Sequence, residues 1–408
     1  MRVAFLSVSA EFGGSESSLW QLVRGLRRIS PSDEAIVVVP REGALAARVR
    51  ETGAEVRILP MPDALASFGE WSMRGASAIA RRSAAALAAL RAVPAYRDEL
   101  NALLTTLAPD VVHSNGFKMH VLGVRSAPAN VPVVWHIHEY LSHRPLSRAL
   151  LRRHAGRAAA IAANSRSVAD DVAAALGRAA PPVTSVHNAV DLAEFSPDGA
   201  ADDLDALAGL PPAPEPTVRV GLVATFARWK GHETFLRAMR ATRELPVRGY
   251  VIGGPLYDTA GSQHSLDELR SLAVSLGVAE RVGFTGHRPR PAPAMRALDV
   301  VVHASTEPEP FGLVIAEGMA CGRAVLVSAA GGAAELAKHE EDALTFPPGD
   351  VDALACAIAR CVSDEILRAR LGVAARRAAM RRFDPDVFTR AFLDIYTRAA
   401  RRGSAVTA

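Results

Sequence analysis

Two glutamates eight positions apart, Glu309 and Glu317, are the residues of this chain best placed to do chemistry. A helix turns about 100° per residue, so side chains eight residues apart point roughly 80° from each other. If Glu309 lies in the loop before a helix, both carboxylates point into one cleft. The N–H groups at Phe311, Gly312 and Leu313 would then form an anion site at the helix start. In a sugar diphosphate, carboxylates can bind the hydroxyl groups of the sugar and backbone amides can bind the phosphates. This combination of groups therefore suits such a ligand.

Two further turns have residues that suit phosphate. Gly13-Gly14 follows an apolar run and precedes a helical stretch, so the backbone there can approach a phosphate closely. Arg228 and Lys230 offer a guanidinium fork and a point charge for a diphosphate. Taken singly, each is also compatible with a plain strand-to-helix turn or an ordinary basic turn. The glycine turn is not the dinucleotide pattern G-x-G-x-x-G, which disfavours a nicotinamide dehydrogenase.

Other polar residues also follow predicted strands. His136 and His138 alternate along one strand and so point to the same side, where either could line a cleft. Gly254 and His287 lie in turns after later strands. No third or fourth ligand accompanies the histidine pair, and Asp350 in Asp350-Val-Asp352 is better interpreted as a helix N-cap. The sequence therefore predicts no metal site.

These residues belong to a chain in which short β-branched runs alternate with Ala-, Leu- and Arg-rich helical stretches. That alternation predicts two Rossmann-like α/β domains with parallel sheets, facing each other across a cleft. The first domain is predicted at 1–195 and the second at 217–383, separated by a Pro- and Asp-rich linker at 196–216. A last helix, 384–400, is predicted to begin with Asp384 as N-cap and Pro385 in its first turn. The predicted strands are Arg2–Val8, Ala35–Val39, Glu55–Leu59, Val111–His113, Val133–His136, Ala159–Ala162, Thr184–His187, Val218–Ala224, Gly249–Gly253, Val282–Thr285, Val300–His303 and Ala324–Ser328.

Composition narrows the class of protein. The 408 residues are 49% hydrophobic and 22% charged, and no apolar run reaches the length of a membrane span.

The net charge of the chain is unevenly distributed. Residues 1–200 hold 22 Lys and Arg against 18 Asp and Glu, which accounts for the whole net charge of +4. Arginines of the Arg144–Arg157 region are spaced along one helix face. The region is therefore a candidate for contact with anionic lipid or with a phosphorylated acceptor, or it is simply a solvated face. No aromatic stacking platform accompanies them, which argues against nucleic acid. Three cysteines without metal-ligand spacing indicate a reducing cytoplasm, with the inner face of the membrane as a possible site of attachment.

The ordered set of motifs resembles the retaining GT-B glycosyltransferases, in particular the group-1 family (GT4). The resemblance covers essentially the whole chain and is strongest from Val218 to Gly349. The matching pieces are Gly13-Gly14-Ser-Glu16, the strand from Pro132 to His138, Asn188-Ala-Val-Asp191 with Phe195, Lys230-Gly231, Gly253-Gly254, Gly286-His287, Glu309 to Glu317, and Gly331-Gly332 with Glu335.

The resemblance implies a hexosyltransferase that uses a nucleoside-diphosphate sugar, an unidentified hydroxyl acceptor and no cofactor. It implies that the last helix crosses back onto the first domain. It also implies that Glu309 contacts hydroxyls of the donor hexose, that Glu317 contacts the ribose, and that His138 lines the reaction centre. The remaining donor-binding residues implied by the family are Gly14, Arg228, Lys230, Gly254, His287, Phe311, Gly312 and Leu313.

Three departures from the family pattern bear on these roles. Thr225 stands where the family usually has an arginine before the lysine, and Arg228 is a candidate to supply that charge. Gly318 replaces the usual alanine after the second glutamate, which weakens the helix by roughly 1 kcal/mol. Alanine follows Asn188 where glycine is common. The Thr225 departure leaves open a catalytically silent sugar-nucleotide-binding protein, whereas a phosphorylase is disfavoured because no pyridoxal-binding lysine motif is present.

Overall fold

The apolar runs of the first half form a parallel sheet of seven strands in the order β3-β2-β1-β4-β5-β6-β7. The strands are Arg2–Ser7 (β1), Glu34–Val39 (β2), Glu55–Ile58 (β3), Val111–Asn115 (β4), Val133–Ile137 (β5), Ala160–Ala163 (β6) and Val183–Ser185 (β7). Both faces are covered, because Ala4 and Leu6 of β1 pack in one hydrophobic cluster and Val3 and Phe5 in another. The helices in this part are Gly14–Ile29 (α1), Ala44–Glu51 (α2), Asp63–Ala66 (α3), Ala76–Leu107 (α4), Phe117–Ser126 (α5), Pro145–His154 (α6) and Arg166–Leu176 (α7).

The second half forms a parallel sheet of six strands in the order β10-β9-β8-β11-β12-β13. The strands are Val218–Val223 (β8), Val247–Ile252 (β9), Val282–Gly286 (β10), Val300–His303 (β11), Ala324–Ser328 (β12) and Leu344–Phe346 (β13). Its helices are Leu204–Ala208 (α8), His232–Ala241 (α9), Leu266–Ser275 (α10), Ala292–Arg296 (α11), Leu313–Ala320 (α12), Ala333–Leu336 (α13), Val351–Ser363 (α14) and Glu365–Arg382 (α15). The twelve predicted strands are all present within two residues of their predicted ends, and the three-residue strand β13 is the one that was not predicted.

The terminal helix Pro385–Val406 (α16) begins at the predicted proline. It packs against α1, where a Cβ on Gly25 would lie 1.9 Å from Thr389 Oγ1, so only glycine allows this approach. Phe392 and Tyr396 of α16 are fully buried, and the Tyr396 hydroxyl lies 2.7 Å from His113 Nδ1. The helix is therefore part of the first sheet's core.

The structure is a computed structural model that describes residues 1–66, 76–255 and 261–406. It divides into a first unit, Met1–Ala189 with the helix from Pro385, and a second unit, Val190–Asp384. The boundary lies at Ala189 and not at residue 195, because Val190 N donates to Phe383 O in the second unit. Across the described ranges, no helix has both the length and the apolar character needed to cross a bilayer.

The segment predicted as a linker, 196–216, is built into the second unit. It includes helix α8, whose Asp205 is buried and accepts hydrogen bonds from Arg248 Nη1 and Tyr250 Oη, both at 2.6 Å. Both partners lie on β9. The Pro- and Asp-rich composition indicated an irregular segment, but it could not reveal this long-range ion pair, which fixes the segment to the sheet.

Candidate functional site

Most of the predicted site residues of the second unit lie at one edge of its sheet. All the paired strands are parallel, so the loops after β8, β9, β10, β11 and β12 leave from their carboxyl ends, where ligands bind in open α/β sheets. Lys230 follows β8, Gly254 follows β9 and His287 follows β10. Glu309 follows β11, which lies beside β8.

The lysine turn is fixed by its backbone. Arg228–Lys230 form one 3₁₀ turn, and Gly231 then takes a left-handed conformation with φ of 76°. A Cβ on Gly231 would lie 1.8 Å from the carbonyl oxygen of Ala304, which follows β11. Thr306 N also donates to Trp229 O at 2.7 Å. The turn after β8 is therefore locked to the loop after β11, and this contact explains the Lys-Gly pair.

Lys230 and Glu309 form a close ion pair at this edge. Lys230 Nζ lies 2.6 Å from Glu309 Oε2, and the side chains are 20% and 9% exposed. The Lys230 ammonium also lies 3.9 Å from the centre of the Trp229 ring, which adds a cation–π contact. Glu309 O accepts a hydrogen bond from Gly332 N at 2.7 Å, so the Gly331-Gly332 turn holds the backbone of the glutamate. The structure thus brings together two of the predicted residues that are 79 positions apart.

Further donors converge on the same carboxylate oxygen. Ser305 Oγ donates to Glu309 Oε2 at 2.8 Å, and His303 Nε2 lies 3.3 Å from it. Burial alone would raise the pKa of Glu309, but the Lys230 ammonium and His303 outweigh it and hold that pKa well below its ordinary value. Glu309 is therefore an anion throughout the neutral range.

Glu317 has the opposite electrostatic environment. It lies in α12, which starts at Leu313 after Gly312 in the left-handed region with φ of 92°. Burial, together with the nearby charge of Glu194, raises the pKa of Glu317 to about 7. The following Gly318 has a packing role, because a Cβ there would lie 3.1 Å from Cβ and Cγ1 of Val301 on β11. Glycine at this position thus lets α12 lie close to the sheet.

The other predicted donor residues of the second unit have different surroundings. The Phe311 side chain is 3% exposed and packs edge-on against Phe383 in the core, so its backbone is the part suited to a ligand. Arg228 has its own partners: its guanidinium donates to Gly261 O at 3.1 Å and to Glu268 Oε1 at 3.2 Å. Gly254 and His287 are neighbours, since a Cβ on the glycine would lie 3.4 Å from the histidine Cβ.

In the first unit, the predicted glycine turn begins α1. Gly14 is the first helical residue and is exposed. Gly13 N donates to the buried Glu16 carboxylate at 3.3 Å, and Ser15 Oγ donates to it at 3.0 Å. Burial raises the pKa of Glu16, against these hydrogen bonds. One amide of the predicted phosphate site is therefore used inside the protein.

His138 follows β5, and its ring lies 4.0 Å from the ring of His136, as the alternation along the strand predicted. Both ring nitrogens of His138 are buried, and no described residue forms a hydrogen bond with them. Burial lowers the pKa of His138 to about 3, so the ring is neutral. Its backbone is held by Asn164, whose Nδ2 donates to His138 O at 3.2 Å.

Sequence reasoning missed several residues that support these positions. They are Ser305 and His303 beside Glu309, and Asn115 and Asn164 in the first unit, where Asn115 Nδ2 donates to Ser15 O at 3.2 Å. All are buried polar residues at or just after the ends of apolar strands, and that pattern could have marked them. Asp350 caps α14 by accepting a hydrogen bond from Ala353 N, which confirms its predicted role. Among the described residues, no group of three or more His, Cys, Asp or Glu is arranged to hold a metal ion.

Comparison with known proteins places the chain in a family. The model described as Glycosyltransferase Family 4 matches residues 12–194, and the model described as Glycosyl transferases group 1 matches residues 211–378. The chain belongs to the group-1 glycosyltransferases of family GT4. This confirms the resemblance to the group-1 family that was inferred from the motifs.

Individual members of the family are similar at a lower level. The chain is 33% identical to the D-inositol 3-phosphate glycosyltransferase of Xylanimonas cellulosilytica over 60% of its own length and 58% of the relative. It is 31% identical to the lipopolysaccharide core biosynthesis glycosyltransferase LpsD of Rhizobium meliloti over 43% of its own length and 48% of the relative. The chain thus spans about half the length of these curated relatives.

A solved structure matches over nearly the full chain. Anabaena Alr3699/HepE, in complex with UDP and glucose, has a TM-score of 0.77 at 25% identity and covers 97% of this chain and 99% of its own. The same Anabaena protein is also known in complex with UDP-glucose. The match confirms the predicted GT-B fold, in the sense of two α/β units with parallel sheets.

Proposed function

We propose that the chain transfers a hexose from a nucleoside-diphosphate sugar to an acceptor hydroxyl. The observation that carries this proposal is the Lys230–Glu309 pair at the carboxyl edge of the second sheet. It offers a cation for the diphosphate beside a permanently charged carboxylate for sugar hydroxyls. We assign donor binding to the second unit and acceptor selection to the first.

In this proposal, the donor diphosphate takes over the hydrogen bonds of Lys230, and Glu309 keeps those from Ser305 and His303. The amides at the start of α12, near Gly312 and Leu313, bind phosphate oxygens at the positive end of the helix. As the bond from the sugar to the diphosphate breaks, charge grows on the leaving phosphate. A fixed ammonium and helix terminus stabilise that charge in the transition state without reorganisation.

The proposal also covers the metal dependence and the stereochemistry of the transfer. Lys230 and the helix terminus provide positive charge, so we propose that transfer needs no metal ion and no cofactor. We propose retention of the anomeric configuration through attack of the acceptor hydroxyl on the face that the diphosphate leaves, with His138 near the reacting carbon.

Because similar structures contain UDP and UDP-glucose, UDP-glucose is the first donor to test. The similarity to a lipopolysaccharide core biosynthesis glycosyltransferase supports a place in cell-surface glycan or glycolipid assembly. Secondary metabolism is the alternative place for the same transfer.

A donor screen tests the function. Purified protein is incubated with UDP-, GDP-, ADP- and TDP-sugars in the presence of EDTA, and release of nucleoside diphosphate is followed. We expect slow hydrolysis of one donor, and NMR of the transfer product is expected to show the anomeric configuration of the donor. Binding of a donor without turnover, even with a panel of hydroxyl acceptors, would favour the silent sugar-nucleotide-binding protein. Absence of both binding and turnover would contradict the proposal.

The raised pKa of Glu317, about 7, predicts pH-dependent donor binding. A carboxylate accepts hydrogen bonds from the ribose diol more strongly than the protonated acid does. We therefore expect the Kd for the bound nucleotide sugar to fall as pH rises through about 7. Calorimetry with the intact nucleotide sugar avoids a terminal phosphate that titrates in this range. Glu317→Gln is expected to bind more weakly above this pH and to remove the pH dependence; an unchanged pH profile would refute the ribose role.

We also propose that the protein is cytoplasmic and contacts the inner face of the membrane through α6. The helix exposes 74% of Leu146 and 44% of Leu150, one turn apart, among exposed Arg148, Arg152 and Arg153. Apolar side chains flanked by arginines are typical of helices that lie at an anionic lipid surface. The basic region from Arg144 to Arg157 then has a lipid partner.

Vesicle sedimentation checks this contact. Wild-type protein is expected to bind vesicles containing phosphatidylglycerol and not vesicles of phosphatidylcholine alone, and salt is expected to weaken binding. The double change Leu146→Ser and Leu150→Ser is expected to lower affinity about tenfold or more, since each buried leucine contributes roughly 1.5–3 kcal/mol. Ile366→Ser removes an apolar residue of the second unit that is 82% exposed, and it serves as the control. Equal loss in both variants would reject α6 as the contact.

A further inference from the structure

Behind Glu309 lies a chain of buried polar side chains to which the family resemblance assigned no role. Ser305 Oγ lies 2.8 Å from Glu309 Oε2 and 3.0 Å from His303 Nε2. Ser305 and His303 are 1% and 3% exposed. Behind them, Ser328 Oγ at the end of β12 donates to Ser305 O at 2.5 Å. The carboxylate is thus connected through Ser305 to the ends of two neighbouring strands, β11 and β12.

The direction of these hydrogen bonds follows from proton counting. Glu309 is an anion and can only accept, so the single hydroxyl proton of Ser305 is donated to it. The short contact between Ser305 Oγ and His303 Nε2 then requires that His303 carries its proton on Nε2 and donates. His303 Nε2 also lies 3.3 Å from Glu309 Oε2, which only accepts. The tautomer is therefore inferred from the hydrogen bonds around it.

We propose that Ser305 and His303 are positioning residues that fix the Glu309 carboxylate for recognition of the donor sugar. This proposal rests on the proposed function. Lys230 is the donor to Glu309 that a diphosphate would compete for, whereas Ser305 and His303 are buried behind the carboxylate. When Lys230 turns to the diphosphate, Ser305 and His303 keep the carboxylate in place and charged. The hydroxyl groups of the hexose then meet an acceptor that is already oriented.

The same three residue types could suggest a nucleophilic serine, and the geometry argues against it. In a nucleophile triad the histidine accepts the serine proton and donates to the carboxylate. Here Ser305 donates directly to Glu309, and its hydroxyl is buried. Because Ser305 donates its proton to Glu309 and not to His303, its role is to position the carboxylate.

The kinetic test uses Ser305→Ala, His303→Gln and a matched control, Thr242→Val. Thr242 is a buried hydroxyl of the same unit that donates only to carbonyl groups of α9. We expect Ser305→Ala to lower kcat/KM for the donor about tenfold to a hundredfold, the range for a hydrogen bond to a charged group. Lys230 and His303 are titratable groups that contact Glu309. Ser305 donates a hydrogen bond to the charged form of Glu309, so its loss is expected to raise the pKa of Glu309 and to move the acid limb of the pH–rate profile to higher pH. His303→Gln retains a side-chain donor and is expected to lose less.

A purely structural role would give a different outcome. In that case Ser305→Ala would behave like Thr242→Val, with a lower Tm, an unchanged acid limb and little change in kcat/KM. That result would overturn the proposal.

A second measurement separates this proposal from the proposed function. Thermal unfolding of Ser305→Ala, Glu309→Gln and the double variant at pH 7 reports coupling of the two side chains without any substrate. We expect the Tm loss of the double variant to be clearly smaller than the sum of the single losses. Additive losses would reject the network even if the wild type turns over a donor. Coupling in a protein that turns over no donor would reject the proposed function and, with it, the donor-positioning role.

Discussion

Glu309→Gln is expected to lower kcat/KM for the nucleotide sugar by about two to three orders of magnitude, equivalent to about 3–4 kcal/mol of transition-state stabilisation. The change keeps the shape of the side chain but removes its charge. It leaves the Lys230 ammonium, 2.6 Å away, without its anionic partner, and it weakens the hydrogen bonds from Ser305 and His303. Steady-state kinetics with the donor found in the screen measure the loss.

Glu307→Gln is the matched control for this experiment. Glu307 is exposed and lies two residues before Glu309 in the same loop, so it tests the effect of one lost charge at nearly the same place. Its kcat/KM is expected to stay within about twofold of the wild type, the usual size of a surface effect. Similar losses in both variants would mean that general charge, and not the position of Glu309, determines activity.

Lys230→Met is expected to weaken donor binding and turnover together, again by about two orders of magnitude in kcat/KM. The methionine retains most of the apolar stem but has no charge for the diphosphate. Lys338→Met, at an exposed lysine paired with Glu341, is the control and is expected to be silent. Calorimetry with the nucleotide sugar and steady-state kinetics provide the two measurements.

Lys230→Met is also expected to change the free energy of unfolding in a pH-dependent way. The pKa of Glu309 is lower in the folded protein than in the unfolded chain, so its pairing stabilises the fold above the unfolded pKa and the stabilisation is lost as pH falls through the folded pKa. Lys230→Met is therefore expected to cost about 3 kcal/mol at pH 7 and less in acid. A pH-independent loss in denaturant titrations would contradict a charged Glu309 in the native state.

The elements of the fold could be predicted because their signals are local. The buried strands of both sheets are continuous apolar runs, and α16 begins at a proline that suits a first helical turn. Strand β13, Leu344–Phe346, is too short for its apolar pattern to be distinguished from a loop. The role of 196–216 depends on the ion pair of Asp205 with Arg248, 43 positions away, and composition cannot report such a pairing.

Two members of the candidate site could be selected from local signals in the same way. Motif spacing identified Lys230 and Glu309, and the structure brings them into contact. Motif spacing could not show that Arg228 pairs with Glu268, 40 positions further along the chain. Nor could it show that the Phe311 side chain packs in the core, since both facts depend on tertiary contacts. His303 and Ser305 were missed because a strand end that reads His-Ala-Ser has no distinctive local pattern.

The most direct test of the proposed donor site is a structure of the protein with UDP-glucose, determined in the presence of a chelator. We expect Lys230 Nζ on a diphosphate oxygen, a Glu309 oxygen within hydrogen-bond distance of a hexose hydroxyl, and Glu317 at the ribose. Ser305 and His303 are expected to remain on the Glu309 carboxylate. A nucleotide bound away from the carboxyl edge of the second sheet, with the Lys230–Glu309 pair intact, would contradict it.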